Sequence, residues 1–236
     1  PWGVLASLAW GVAAIATWLG AQILIGDTVV EWLDSGNVGI AQLASDARFV
    51  SLMTIGAVLV PLAVIAIAVR LARCSLSEYL GLHWPARGYL AIGLAVLAVL
   101  IPLVDLVSLL AGHAMTSKFV TDLYSSGRDS GWLPLLVISL AVAAPLVEET
   151  VFRGFLLPGL AASRIGAWGA ILLTSVTWAV LHAQYHPFYL AQIVVLGIAF
   201  GWLRLKSGST TLTMILHGLL NLVSLVQAAI VVEWLS

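Results

Sequence analysis

Long, uninterrupted runs of apolar residues recur along the whole chain and are separated by short polar segments. Several runs reach or exceed the roughly 18 residues that a helix needs to cross the hydrocarbon layer of a membrane. Their apolar positions are continuous, whereas the strands of an outer-membrane barrel alternate between apolar and polar positions. Because lipid cannot satisfy backbone N–H and C=O groups, the pattern predicts an all-α, polytopic transmembrane bundle.

The runs predict about seven spans, or eight if the long fourth run is broken. An acidic stretch follows the first span, and a mixed-charge loop is expected at 111–131. A short amphipathic helix at 76–82 is expected to lie at the membrane interface. No repeat or linker divides the chain, so we expect a single membrane-embedded domain over residues 1–236. The predicted spans are residues 2–25, 49–69, 89–110, 132–160, 166–185, 188–205 and 210–235.

Composition strengthens the membrane prediction and excludes several function classes. Of the 236 residues, 61% are hydrophobic and only 9% are charged, against about 25% charged in soluble domains. The net charge of −1 gives no electrostatic basis for binding nucleic acid. A single cysteine, Cys74, excludes an internal disulfide. The first run lacks a basic leader and a cleavage site, so we expect a retained helix.

The placement of Lys and Arg predicts the orientation. An N-terminus in the cytoplasm puts most of the basic loop residues inside and the acidic first loop outside. Arg outnumbers Lys and alanine is abundant, which favours the inner membrane of a bacterium as the location. The predicted inside residues are Arg70, Arg73, Arg87, Arg164, Arg204 and Lys206, and the outside ones are Arg48, Lys118 and Arg128.

Ionisable groups inside the predicted spans are concentrated in the C-terminal half of the chain. Such groups are costly at membrane depth and therefore indicate a functional site. Glu149 and Arg153 are four residues apart, so they share a helix face and can pair. Glu148 points about 100° away from Glu149 and lacks a partner on its own helix. An unpaired carboxylate in apolar surroundings is suited to proton exchange near neutral pH.

Helix geometry places two of the candidate groups at similar depth. Glu148 and His182 lie about 15 and 16 residues either side of the turn near 163–166, which is roughly 22–24 Å along the helix axes. His217 is shallower, at roughly 13 Å from its own turn. A tilt or a kink at Pro145 or Pro158 would bring the three groups together.

Three short motifs follow one another on successive hydrophobic segments: Glu148-Glu149-x-x-x-Arg153, Trp178-x-x-x-His182 and His217-x-x-x-Asn221. Together they resemble the CAAX-protease and bacteriocin-processing (CPBP) family, whose eukaryotic branch includes the Ras-converting CAAX endopeptidase. The family pattern is EExxxR, FxxxH and HxxxN or HxxxD. Trp178 replaces the usual Phe and keeps an aromatic ring. The resemblance covers the motif-bearing core at about 132–225.

The resemblance implies an intramembrane endopeptidase that hydrolyses a membrane-associated peptide or protein. Glu148 would be the general base and His182 its partner. His217 and Asn221 would stabilise the oxyanion. Glu149, Arg153 and Trp178 would support the site.

Family members are described both as metalloproteases and as metal-free glutamate proteases. We expect no cofactor, and a zinc ion at Glu148, His182 and His217 is the alternative. The chain has enough Glu and His for zinc but no HExxH helix.

Two other functions are compatible with the sequence. A non-proteolytic scaffold or immunity factor of the same fold would work through a membrane partner and would tolerate loss of Glu148. A proton-coupled transporter would use the buried charges, although the chain lacks the repeat symmetry common in transporters. Asp105 in the third span is expected to be a pore or packing group. His186 is expected in a loop after the fifth span, and His83 and His113 are given no role.

Overall fold

The computed structural model describes residues 2–33 and 43–235, and the regular structure in these ranges is helical. Within these ranges, six helical segments are long and apolar enough to cross a membrane, with Ala47–Leu71 counted as one segment, and a seventh apolar helix is shorter. The predicted all-α bundle of about seven spans is therefore confirmed, and the chain is an integral membrane protein. In chain order the helices are α1 Val4–Trp32, α2 Ala47–Gly56, α3 Leu59–Leu71, α4 Leu76–Leu80, α5 Arg87–Leu110, α6 Lys118–Ser130, α7 Leu133–Ala161, α8 Gly166–Val180, α9 Pro187–Ser207 and α10 Thr210–Ile230.

The predicted acidic loop after the first span is partly wrong. Asp27 and Glu31 lie on the last turns of α1, because the helix continues beyond the end of the apolar run. Asp46 caps α2 by accepting hydrogen bonds from the backbone N–H groups of Arg48 and Phe49. Burial by itself would raise the pKa of Asp46, but its hydrogen bonds and charge interaction with Arg48 outweigh burial and lower it. The remainder of the acidic stretch, 34–42, lies outside the described residues.

The segment predicted as a mixed-charge loop at 111–131 contains a helix, α6. Ser117 begins it by accepting a hydrogen bond from the N–H of Val120. Val120 and Leu123 are buried on one face, while the opposite face is charged. The mix of charged and apolar residues in this segment is therefore that of an amphipathic helix. The short helix predicted at 76–82 is confirmed as α4 and ends at Gly81, which adopts a positive φ.

The fifth predicted span is too long. It was expected to end at Tyr185, but α8 ends at Val180 and is followed by turns. Pro187 is the first residue of α9, where the missing N–H of proline costs nothing. With 15 residues, α8 is about 22 Å long, less than the roughly 30 Å hydrocarbon layer. The end of this short helix therefore lies within the bundle.

Helix α7 lies at the centre of the bundle. In its apolar window 61% of residues are buried, against at most 33% in the other long helices. Two π-helical segments, Ser139–Ala143 and Thr150–Leu156, interrupt it, and Pro145 or Pro158 follows each within two residues. Because proline cannot donate to the preceding turn and its ring crowds that turn, a widened turn accommodates it.

Short segments connect the helices at two opposite ends of the bundle. At one end, which we call the α4 face, Thr210 donates from its backbone N–H to the carbonyl oxygen of Gly81 at 2.9 Å. Ser209 donates there to the carbonyl oxygen of His83. At the other end, the α6 face, Arg128 of α6 pairs with Glu233 after α10. These contacts fix the two ends of α10 against different parts of the chain.

Candidate active site

The two adjacent carboxylates lie in the middle of α7, between its π-helical segments. Both are buried: Glu148 is 7% exposed and Glu149 is fully enclosed. A buried charge must be paired and hydrogen-bonded to be tolerated. The partners of each carboxylate therefore indicate its role in the structure.

Glu149 is held by two cationic or potentially cationic side chains. Its Oε1 atom lies 3.1 Å from Nη1 of Arg153 and 3.0 Å from Nδ1 of His217. The pairing with Arg153 follows the four-residue spacing, as predicted. The contact with His217 was not predicted, since the sequence motif links His217 only with Asn221.

The contact with Glu149 restricts the protonation of His217. An ionised carboxylate can only accept hydrogen bonds, so Nδ1 of His217 carries a proton. If Nε2 is protonated as well, the ring is an imidazolium, which the carboxylate stabilises. Two carboxylates would then be balanced by Arg153 and His217.

Glu148 has different neighbours from Glu149. Its Oε2 atom accepts a hydrogen bond from Nε1 of Trp178 at 2.5 Å. Nε2 of His182 lies 3.9 Å from the same oxygen, which is too long for a direct hydrogen bond. The other ring nitrogen of His182, Nδ1, is 2.9 Å from the carbonyl oxygen of Trp178. Since a carbonyl only accepts, Nδ1 carries a proton, and in the neutral form of the ring Nε2 is an acceptor that faces Glu148.

Trp178 connects the two halves of the site. Its indole N–H binds Glu148, and the guanidinium of Arg153 lies 4.2 Å from its ring centroid, within the range of a cation–π contact. The sequence predicted Trp178 only as an aromatic residue that supports the site, and its hydrogen bond to Glu148 was not predicted. The available signal was the replacement of Phe by a residue with an N–H donor.

Asn221 ties α10 to the first π-helical segment. Its Nδ2 atom donates to the carbonyl oxygen of Leu140 at 2.7 Å. This carbonyl lies in the turn that Pro145 leaves without a donor. Gly218 faces the same turn, and a Cβ added to it would lie 2.4 Å from the carbonyl oxygen of Ala141. The contact shows a structural role for one amide hydrogen, and the oxyanion role of Asn221 stays a prediction.

Two cavities meet at His182 and His217. The first, which we call the α1 cavity, is lined partly by α1 and extends to Glu148. The second, the α5 cavity, is lined partly by α5. The α1 cavity is lined in addition by Trp18, Gln22, Val50, Thr54, Phe119 and Ala144, and the α5 cavity by Leu100, Val104, Asp105, Gln192, Leu196 and Gln227. A bound chain can therefore reach the histidines from two sides.

The arrangement does not fit the zinc alternative. In the ranges 2–33 and 43–235, no three His, Cys, Asp or Glu side chains converge as a metal ion requires. No chemical step is therefore assigned to a metal.

The other histidines lie apart from Glu148. His186 caps α9 by accepting a hydrogen bond from the N–H of Phe188, so it is a helix-capping residue. His113 packs against the ring of Phe188, with centroids 4.2 Å apart. His83 contacts the carbonyl oxygen of Gly208 on the α4 face. These contacts stabilise turns between helices.

Comparison with known proteins bears on the family resemblance of the three motifs. Residues 130–223 match the model of the Rce1-like family, described as type II CAAX prenyl endopeptidase Rce1-like. The matched segment contains all three motifs, so the predicted family resemblance is confirmed over it. An "Uncharacterized 24.3 kDa protein" of Escherichia coli is 34% identical over 86 residues, which are 35% of this chain and 39% of that protein. The chain thus spans about two fifths of the length of this curated relative. No solved structure matches the chain.

Proposed function

We propose that this protein is an intramembrane endopeptidase that hydrolyses a peptide bond of a membrane-associated peptide or protein. The observation that carries the proposal is the pair of acceptors formed by Glu148 Oε2 and His182 Nε2, 3.9 Å apart. Two acceptors at this separation suit one water molecule that donates a hydrogen bond to each. Such a water is held and polarised for attack.

In the proposed reaction the water oxygen attacks the carbonyl carbon of the substrate. Glu148 takes one water proton as the new C–O bond forms, and the carbonyl π electrons move onto the oxygen. Glu148 then gives the proton to the amide nitrogen, and the C–N bond breaks. The products are a carboxylic acid and an amine, so atoms and charge balance.

The oxyanion needs donors that are in place before the reaction. In this proposal they are Nε2–H of a protonated His217 and the second amide hydrogen of Asn221. Glu149 stabilises the imidazolium of His217, and Arg153 completes the charge balance around Glu149. Trp178 fixes the orientation of the Glu148 carboxylate.

The surroundings support a substrate that reaches the site from the membrane. Apolar residues of α1, α5 and α9 line the approaches to the histidines. We place the protein in a bacterial inner membrane with its N-terminus in the cytoplasm, as the basic loops indicate. The bacterial origin of the curated relative supports this location. The lipid bilayer is thus a partner along with the substrate, and no nucleic-acid partner is proposed.

The test is cleavage by purified protein in detergent micelles. A mixture of apolar peptides is incubated with the protein, and new termini are identified by mass spectrometry. Glu148→Gln is expected to lower the cleavage rate by about 10²–10⁴-fold, the usual contribution of a general base.

Glu31→Gln provides a matched control, because the same change is made on an exposed position of α1. It is expected to cleave at the wild-type rate. Equal rates for Glu148→Gln and the wild-type protein would exclude the proposed reaction. Complementation of a deletion strain by Glu148→Gln would point instead to a non-proteolytic scaffold.

A further inference from the structure

The α5 cavity carries a carboxylate at the end away from Glu148. Asp105 of α5 lines this cavity together with Gln227 of α10. Gln227 donates from Nε2 to Oδ2 of Asp105 at 2.8 Å. The sequence predicted only a pore or packing role for Asp105, and the proposed reaction does not use it.

Asp105 lacks a cationic partner within the described part of the chain. The ion pairs formed among residues 2–33 and 43–235 do not include it. A carboxylate in a membrane span is costly and normally faces a partner or a polar path. One neutral amide donor leaves most of its acceptor capacity available. The charge is therefore suited to a cation supplied from outside the chain.

A track of polar side chains runs along α10 from the histidine to this carboxylate. His217, Asn221, Ser224 and Gln227 all line the cavity and recur every three to four residues, which places them on one helix face. From His217 to Gln227 the axial distance is about 15 Å, and from Asn221 about 9 Å. An extended peptide covers about 3.3 Å per residue. The carboxylate thus lies about three to five substrate residues from the oxyanion donors.

We propose that Asp105 and Gln227 form a subsite for a basic side chain of the substrate, about three to five residues from the cleaved bond. This inference rests on the proposed function, and it names the substrate class as apolar segments with one lysine or arginine. Leu100 and Val104 line the same cavity and provide an apolar surface for the methylene stem of such a side chain.

Binding to a cleavage-deficient protein tests the subsite separately from catalysis. The probe is a labelled nonapeptide of Leu and Ala with a central lysine and blocked termini. The reference peptide has norleucine instead of lysine. Glu148→Gln protein in detergent is expected to bind the lysine peptide at least about ten-fold more tightly, as fits one desolvated charge pair.

The near-isosteric change Asp105→Asn, made in the Glu148→Gln background, is expected to reduce this preference to less than about two-fold. Asp105→Lys in the same background is expected to reverse it in favour of a glutamate peptide. Asp27→Asn is the matched control, since Asp27 is exposed on α1 and does not line the α5 cavity. It should retain the ten-fold preference.

Three results would overturn the proposal. The first is an Asp105→Asn protein that keeps the full preference for the lysine peptide over the norleucine peptide. The second is a Glu148→Gln protein that does not bind the lysine peptide measurably or does not prefer it. The third is a preference that appears only for a norleucine peptide with a free amino terminus. Cleavage is scored separately with wild-type protein. If the lysine peptide binds preferentially but no cleavage depends on Glu148, the proposed function is refuted and the cation site is still supported.

Discussion

At the scale of single residues, the adjacent carboxylates Glu148 and Glu149 differ completely in their surroundings. Glu149 is enclosed between Arg153 and His217, so it forms part of a buried charge network. Glu148 accepts a hydrogen bond from the indole N–H of Trp178, and Nε2 of His182 lies 3.9 Å from the same carboxylate oxygen. The first arrangement pairs the charge of Glu149 inside the bundle, and the second leaves a carboxylate oxygen of Glu148 beside the α1 cavity.

Glu149→Gln should destabilise the protein strongly. It leaves the guanidinium of Arg153 buried without its anion, and such changes cost about 3–5 kcal/mol. Thermal unfolding in detergent measures the effect. The double variant Glu149→Gln/Arg153→Leu removes both charges and is expected to be more stable than the single variant. A single variant as stable as the wild type would contradict the role of the ion pair.

Trp178→Phe should reduce kcat while leaving the fold intact. The variant introduces the Phe of the pattern that the motifs resemble and keeps a ring beside Arg153, but it removes the N–H that binds Glu148. A hydrogen bond to a charged group is worth about 1.5–3 kcal/mol, so we expect kcat to fall at least about ten-fold with KM little changed. Trp168→Phe, at an exposed position, is the control. Unchanged kcat would show that the N–H does not position the base.

At the scale of elements, α7 departs from a regular α-helix where the candidate site needs it. A rotation of 100° per residue holds for a regular α-helix, but π-helical segments lie on both sides of Ala144–Glu149. They alter the direction of side chains and expose backbone carbonyls, one of which binds Asn221. Close packing of α10 on the first π-helical segment is therefore part of how the site is built.

Gly218→Ala tests this packing. The added Cβ would lie 2.4 Å from the carbonyl oxygen of Ala141, and backbone cannot move aside as a flexible side chain can. We expect a loss of about 1–3 kcal/mol in stability, read as a lower melting temperature in detergent. Gly20→Ala in α1 adds a methyl group to open space and should be neutral or slightly stabilising. Equal melting temperatures for the two variants would contradict the tight contact.

At the scale of the whole molecule, antiparallel helices create two distinct ends. The α4 face holds the turns at 72–75 and 206–210, and the α6 face holds the amphipathic helix α6. Since α8 ends early, His182 lies in a turn below the α6 face, beside both cavities. The cavities beside His182 are therefore nearer to the α6 face, and a substrate segment in water would enter from that side.

Cys74 reports the orientation without any engineered label. It is a free, partly exposed thiol on the α4 face. With the N-terminus in the cytoplasm, a membrane-impermeant maleimide should label Cys74 in inside-out vesicles and not in right-side-out vesicles. The variant Cys74→Ser/Lys118→Cys moves the thiol to the α6 face and should give the opposite pattern. Labelling of Cys74 in right-side-out vesicles would contradict the predicted topology.

The sequence was sufficient to predict the helical bundle and to propose the candidate residues, whose catalytic roles stay predictions. Hydrophobic runs fix the spans, since a backbone in lipid must satisfy its own hydrogen bonds. The ends of helices were less predictable. Asp27 and Glu31 are helical although polar, and α8 stops before its apolar run does, because helix ends depend on local backbone contacts as well as on polarity.

By itself, the sequence determined that costly polar groups share a membrane-spanning bundle, and spacing along one helix determined the pairing of Glu149 with Arg153. Only the tertiary structure decided that His217 contacts Glu149, that Trp178 donates to Glu148, and that Asp105 lines a cavity with the histidines. The physical reason is that neighbours on one helix follow from its period, whereas contacts between helices depend on axial shift and rotation. Here the π-helical segments and the short α8 set both.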